Sequence, residues 1–107
     1  MNYQHKNLAA GRWKKLSFFA QMANIGSEVE RAIQWQSKNK EYSRIAFERA
    51  LELMDLTLAD VKNKQRLKEL VRAREVLVDY FFGENIYASS DKLWHNYFYP
   101  FNYASRM

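Results

Sequence analysis

The sequence predicts an all-α protein: an antiparallel, up-down-up-down bundle of four helices with a basic N-terminal arm and a short aromatic C-terminal helix. Its 107 residues include only three glycines and one proline, too few for the many tight turns of a sheet. Apolar residues instead recur at helical spacing along most of the chain. The length suits a single domain, and seven Phe, seven Tyr and three Trp residues can fill its core.

The N-terminal part is predicted to be an arm over residues 1–16, followed by a first helix over about 17–37. Ser17 is the expected N-cap, because its hydroxyl can accept a hydrogen bond from a free N–H of the first turn. Gly26 lies inside this helix, where glycine costs about 1 kcal/mol relative to alanine. It therefore predicts close packing against a neighbouring helix. The apolar face is predicted from Phe18, Met22, Ile25, Val29 and Ala32.

A second helix is predicted over about 41–59 and a third over about 62–82, with Asp60 or Asn63 as the cap of the third. Gly83 follows the third helix, at the position where a left-handed C-terminal cap is expected. The apolar face of the second helix is predicted from Phe47, Leu51, Met54 and Leu58, and that of the third from Leu67, Leu70, Val71, Leu77, Val78 and Phe81.

The C-terminal helix is predicted over about 90–99, with Ser89 or Ser90 as its cap and Pro100 close to its end, because proline lacks an N–H. Aromatic residues are concentrated in this helix. A short helix cannot bury rings on all its sides in a small bundle, so we expect some of them to contact a second copy of the chain. The alternative is that they stack on unpaired bases of a nucleic acid. The predicted contact residues are Trp94, Tyr97, Phe98 and Phe101, and Trp13 and Trp35 are further candidates.

The net charge of +5 is unevenly distributed along the chain. Residues 1–27 carry four cations and no acid, and residues 62–74 carry six cations and one acid. In the third helix, basic residues at i, i+4 and i+8 form a ridge that can track phosphates, although such a ridge can equally be a solvated face. The predicted nucleic-acid-binding residues are Lys14 and Lys15 of the arm and Lys64, Lys68 and Arg72 of the ridge.

Arg74 stands at the centre of the predicted apolar face of the third helix. Its stem is expected to be buried, so its guanidinium needs a partner. The candidates are Asp55, Glu48 and Glu52 of the second helix, or an acid from another subunit. The Arg74–Asp55 pair is predicted either to fix the register of the helices or to form an anion site. The remaining alternative is that the third helix rolls and exposes Arg74.

Several kinds of catalytic site are disfavoured by the composition. The chain has no cysteine, so it has no thiolate nucleophile or thiolate metal ligand. Its two histidines, His5 and His95, lack a further histidine at metal-ligand spacing. The three glycines are isolated and cannot form a phosphate-binding loop. We therefore expect a non-enzymatic protein with no catalytic residues, metal or cofactor.

Carboxylates on two helix faces leave one catalytic alternative open. The sequence Glu52-Leu53-Met54-Asp55 resembles one motif of all-helical nucleotide pyrophosphohydrolases, which hold divalent metal ions on helix carboxylates. The first helix offers only Glu28 and Glu30, which point to different sides because they lie at i and i+2. A metal-dependent phosphohydrolase would use Glu48, Glu52, Asp55, Glu75 and Asp79.

The segments Ser27–Ala32 and Tyr42–Leu51 resemble the helix-loop-helix of HEPN-like and S23-like four-helix bundles. This resemblance implies a small protein that forms dimers or higher oligomers. It also implies a partner such as a minimal nucleotidyltransferase or an RNA-related protein. The ribonuclease members of the family carry Arg-x4–6-His, and no histidine follows Arg72 or Arg74 in that range. The resemblance therefore implies a member without nuclease activity.

The leading hypothesis is a cytoplasmic, self-associating binding or accessory protein, most simply a dimer, with no membrane span and no catalysis. The absence of cysteine and of an apolar N-terminal segment favours the cytoplasm. The first alternative is an RNA- or DNA-binding protein that uses the basic ridge and arm. The second is the metal-dependent phosphohydrolase.

Overall fold

The computed structural model of the protein describes residues 11–106. After a helical turn over residues 11–14, the helices are α1 (Phe18–Trp35), α2 (Lys40–Ala59), a 3-10 helix (Val61–Arg66), α3 (Leu67–Phe82) and α4 (Asp91–Ser105). This part of the chain contains no strand. The predicted all-α class is therefore confirmed. None of these helices is long and apolar enough to cross a membrane.

The N-termini of α1 and α4 are capped as the sequence predicts. Ser17 Oγ accepts a hydrogen bond from the N–H of Ala20 at 3.1 Å, and Ser90 Oγ accepts one from the N–H of Leu93 at 3.0 Å. Each hydroxyl satisfies one of the N–H groups that the first helical turn leaves without a partner. Local sequence therefore sets where these two helices begin.

The third predicted helix differs at its start, because the chain forms a 3-10 helix over Val61–Arg66 before α3 begins. Asp60 caps this 3-10 helix by accepting the N–H of Lys62 at 3.2 Å. Asn63 does not cap anything. Its side chain turns inward and is 1% exposed. The tighter turn of the 3-10 helix directs the side chain of Asn63 into the interior. The predicted α-helix from residue 62 did not specify that direction.

The C-terminal end of α3 also differs from the prediction. Gly83 has φ of −102°, so it is not in the left-handed region. Left-handed backbone occurs instead at Asn85 (φ 56°) and Ala88 (φ 54°) in the following loop. The carboxylate of Asp79 accepts two N–H groups of this loop at 3.0 Å each. That carboxylate shapes the loop, so Gly83 does not have to reverse the chain.

The helix α4 extends to Ser105, six residues beyond its predicted end at residue 99. Pro100 is exposed, and so is Asn96, whose carbonyl would receive the hydrogen bond that proline cannot donate. Water can therefore satisfy that carbonyl. Beyond the proline, the ring of Phe101 packs edge-on against Phe18 of α1, with centroids 5.8 Å apart. This contact stabilises the last turns of the helix.

The helix α1 packs against both α2 and α4, and α3 packs mainly against α2. The end of α1 is joined to the start of α2 by a hydrogen bond from Ser43 Oγ to the carbonyl of Ala32, at 2.7 Å. Gly26 of α1 lies directly against Phe98 of α4. The predicted close packing at this glycine is therefore confirmed. Fully buried side chains of the core include Met22, Ile25, Val29, Phe47, Met54, Leu70 and Leu77.

The buried face of α3 is narrower than predicted. Leu70, Ala73 and Leu77 are buried, whereas Leu67 and Val71, which the prediction placed in the core, are exposed. The rotation that buries Leu70 and Leu77 leaves Leu67 and Val71 on the outer side of the helix. The prediction that Leu67 and Val71 lie in the core is therefore wrong.

Candidate nucleic-acid interface

A buried network of polar side chains joins the start of α1 to the end of α2 and to the 3-10 helix. Gln21 Nε2 donates to Asp60 Oδ2 at 2.9 Å, and Asn63 Nδ2 donates to Gln21 Oε1 at 2.8 Å. Asn63 Nδ2 also donates to the carbonyl of Thr57 at 3.0 Å. Buried polar groups are tolerated when they are hydrogen-bonded, and breaking one bond leaves a partner unsatisfied at about 1–3 kcal/mol. The network therefore fixes this end of the molecule.

Trp13 belongs to the same network. Its ring is buried, and its Nε1 donates to Thr57 Oγ1 at 2.8 Å. Its carbonyl accepts a hydrogen bond from Gln21 Nε2 at 2.9 Å. The prediction that Trp13 contacts another subunit is therefore wrong. Its burial anchors the segment that carries Lys14 and Lys15 against the helices.

The network brings two basic segments of the chain together. Lys62 Nζ donates to the carbonyl of Lys14 at 3.1 Å, across 48 positions of sequence. Residues 11–20 and 61–68 contain seven cations and no acid. All seven are exposed. Of these seven, Lys62 alone makes an ion pair with a residue in the described range 11–106, and its partner is the buried Asp60. We call this surface the basic end: Arg12, Lys14, Lys15, Lys62, Lys64, Arg66 and Lys68.

Asp60 is the buried acid that binds Lys62 and Gln21 at the basic end. Burial alone raises the pKa of its carboxyl, but hydrogen bonds from Lys62 and Gln21 and the charge of Lys62 outweigh burial and lower the pKa below its ordinary value. Asp60 is therefore ionised at neutral pH. Its charge holds Lys62 beside the Lys14 carbonyl and leaves the other six cations uncompensated.

Two phenylalanines of α1 lie beside these cations. The guanidinium carbon of Arg66 is 4.3 Å from the ring centroid of Phe18 and 5.9 Å from that of Phe19. Both distances are within the range of cation–π contacts. Phe19 remains 42% exposed. The basic end therefore combines point charges with an accessible aromatic ring.

The predicted ridge is only partly continuous. Lys64 lies in the 3-10 helix, whereas Lys68 and Arg72 lie one turn apart on α3. All three are exposed. The guanidinium of Arg72 lies over the ring of Tyr87, with its carbon 5.1 Å from the centroid. Lys64 and Lys68 belong to the segment 61–68 that the Lys62–Lys14 hydrogen bond joins to Lys14 and Lys15, whereas Arg72 lies one turn beyond Lys68 on α3.

Arg74 and Asp55 are brought together as predicted. Arg74 Nε donates to Asp55 Oδ1 at 2.9 Å, joining α3 to α2. The side chain of Arg74 is 34% exposed and that of Asp55 is 41% exposed, so the pair lies at the edge of the contact between α3 and α2. The prediction that this pair is buried is wrong. Half-exposed pairs contribute on the order of 0–1 kcal/mol. This pair orients α3 on α2 more than it stabilises the fold.

The four aromatic residues predicted to contact another copy of the chain differ from one another in burial. Trp94 and Phe98 are buried in the protein's own core, so they have no surface left for a partner. Tyr97 and Phe101 are partly buried against the same core. The prediction is therefore wrong for Trp94 and Phe98. Self-association through Tyr97 and Phe101 stays a prediction, and Tyr99 and Tyr103 are further exposed rings of the same helix.

The carboxylates considered for a metal centre are dispersed. Glu48 pairs with Arg44, Asp55 pairs with Arg74, and Glu75 accepts the Tyr87 hydroxyl at 2.6 Å. Within residues 11–106 no three His, Asp or Glu side chains cluster as a metal site would require. His95 Nδ1 lies 3.2 Å from the Glu30 carboxylate, which ties α4 to α1. The structure brings together no set of residues that the phosphohydrolase hypothesis needs.

Sequence reasoning missed several residues that build the basic end: Trp13, Phe19, Gln21, Thr57, Asn63 and Arg66. One signal was present, because Gln21 is a polar residue on the otherwise apolar face formed by Phe18 and Ile25. A buried amide on such a face requires hydrogen-bond partners from other elements. The identity of those partners depends on tertiary contacts that local spacing does not contain.

Comparison of the chain with protein-family models, with curated proteins and with solved structures finds no match. The resemblance to HEPN-like proteins therefore stays a prediction from the sequence pattern.

Proposed function

We propose that the protein is a non-enzymatic nucleic-acid-binding protein whose interface is the basic end. The observation that carries this proposal is the hydrogen bond from Lys62 Nζ to the carbonyl of Lys14, because it joins two basic segments into one surface. Clustered Lys and Arg side chains bind phosphates and release condensed counterions, which favours association. Four of the five predicted residues, Lys14, Lys15, Lys64 and Lys68, thus serve one ligand, and Arg72 lies outside the basic end.

The rigidity of the basic end supports binding. The backbone that carries Lys14 and Lys64 is held by the buried hydrogen bonds of Trp13, Gln21 and Asn63. A preorganised surface loses less conformational entropy when a ligand binds. The cations of the basic end repel one another, and a phosphate backbone relieves that repulsion.

We also infer that the four helices form the antiparallel up-down-up-down bundle predicted from the sequence. Gln21, early in α1, contacts Asp60, which follows α2, whereas Ala32, late in α1, contacts Ser43, early in α2. In α3 and α2, Arg74 pairs with Asp55 and Phe81 stacks on Phe47. Both sets of pairs run in opposite order along their helices, and so do the pairs of α1 with α4, Phe18 with Phe101 and Glu30 with His95. This arrangement supports a basic end formed at one end of the bundle.

The proposal is tested by removing two charges from the interface. In the double variant Lys64→Gln/Lys68→Gln, we expect affinity for a labelled oligonucleotide to fall on the order of tenfold at low salt, because two phosphate contacts are lost. The matched control is Lys38→Gln/Lys40→Gln, which removes the same charge from exposed residues near the other end of α1. Fluorescence anisotropy measures both affinities, and an equal loss in the two variants would contradict a localised interface.

A further inference from the structure

The rings of the basic end form a platform with an open side. Arg66 is exposed, and its guanidinium covers Phe18, whose ring contacts that of Phe19 edge-on at 6.0 Å. Phe19 also lies 6.3 Å from Phe101 of α4. We call Phe18, Phe19 and Arg66 the stacking platform. Its outer surface consists of the exposed parts of Phe19 and Arg66.

Such a platform distinguishes unpaired bases from paired ones. An unpaired base can stack on an aromatic ring or on a planar guanidinium. The bases of a duplex are already stacked on each other, so a duplex offers the platform only phosphates and groove edges. A ring beside the phosphate-binding cations therefore adds affinity for single strands and none for duplexes.

Resting on the proposed function, we propose that the nucleic acid is single-stranded and that its bases stack on Phe19 and Arg66. Lys14 and Lys64 hold the adjacent phosphates. Every base has a π-face, so stacking on this platform tolerates any sequence. Asp60 is buried and already bound by Lys62, so it does not repel the strand.

The charge of the surroundings favours a nucleic acid over a second copy of the chain as the occupant of the platform. A second copy would bring its own seven cations to the same surface, and like charges brought together are destabilising. A single strand instead supplies one negative charge for each nucleotide next to the base that stacks. The occupant therefore complements both the ring and the cations.

The experiment compares a short single-stranded RNA of mixed sequence with the duplex of the same sequence, by fluorescence anisotropy at about 50 mM salt. For the wild-type protein we expect the single strand to bind at least about tenfold more tightly. In Phe19→Leu we expect the single-strand affinity to fall by about tenfold, in line with the loss of one stacked base. We expect its salt dependence to stay unchanged, because leucine removes a ring and no charge.

Two variants control this test. Phe19→Tyr keeps an aromatic ring and is expected to retain single-strand binding. Tyr42→Leu removes a ring that is 52% exposed, against 42% for Phe19, from the start of α2, away from the basic end, and is expected to bind as the wild type does. Thermal unfolding shows whether each variant is folded under the binding conditions. If Phe19→Leu unfolds, the loss of affinity is measured with Arg66→Lys, which keeps the charge and removes the planar guanidinium, and judged against the retained binding of Phe19→Tyr.

The outcomes separate this inference from the proposed function. Equal affinity for single strand and duplex, with Phe19→Leu unchanged, would overturn the stacking inference and leave nucleic-acid binding intact. Binding of neither RNA form would overturn both. A concentration-dependent increase in mass that Phe19→Leu abolishes, without RNA binding, would assign the platform to a second copy of the chain.

Discussion

Gly26 is a residue at which α1 and α4 are in tight contact. A Cβ atom placed on it would lie 2.8 Å from the Cβ of Phe98, closer than side-chain carbons approach each other. The sequence identifies Gly26 as a packing position, because a glycine inside a helix is otherwise unfavourable. It does not identify Phe98 as the neighbour, since helical periodicity describes one helix at a time.

Replacing Gly26 with alanine is therefore expected to destabilise the protein. Overpacking costs about 1–3 kcal/mol, and the higher helix propensity of alanine offsets about 1 kcal/mol of that. The control is Gly11→Ala, because Gly11 lies in a helical turn and no atom of residues 11–106 outside that turn lies within 4 Å of the position of the added methyl group. Thermal unfolding should show a lower Tm for Gly26→Ala and an equal or higher Tm for Gly11→Ala. A higher Tm for both would contradict the close packing of α1 on α4.

The 3-10 helix over Val61–Arg66 is the element on which the basic end depends. The sequence predicts a helix at this position but assigns it to the α-helical type. The type depends on contacts with residues of α1 and α2, which the local sequence does not show. Asn63 bonds to Gln21 and to the Thr57 carbonyl, and Asp60 bonds to Gln21. These contacts select the tighter turn and aim the lysines of the element outward.

The stability that Asp60 contributes should depend on pH. Its pKa is lower in the folded protein than the ordinary value of 3.8, so this contribution is complete above the unfolded value and is lost as pH falls through the folded value. At pH 7 we expect Asp60→Asn to unfold at a lower temperature than the wild type. The difference should shrink below about pH 4. A Tm difference that stays constant from pH 7 to pH 2.5 would show that the charge of Asp60 is not the stabilising feature.

At the scale of the whole molecule, local pattern and long-range contact contribute different parts of the structure. The four long helices, the caps at Ser17 and Ser90 and the Arg74–Asp55 pair follow from periodicity and residue type. The interface does not, because it requires Lys14 and Lys62 to meet across 48 positions through a buried polar network. The burial of Trp13 could not be predicted from local sequence either, since its hydrogen-bond partner Thr57 is 44 positions away.

The central claim is that one end of the molecule binds nucleic acid through its cations, and the salt dependence of binding tests it most directly. The affinity of the full chain for a single-stranded oligonucleotide is measured from about 50 mM to 300 mM salt. Five cations of the basic end remain when Lys62, which pairs with Asp60, and Arg66, which stacks, are left out. One phosphate contact for each predicts a slope of about −3.5 for log K against log salt, at about −0.7 for each phosphate on a single strand. A slope near zero, or no binding at about 50 mM salt, would contradict the claim.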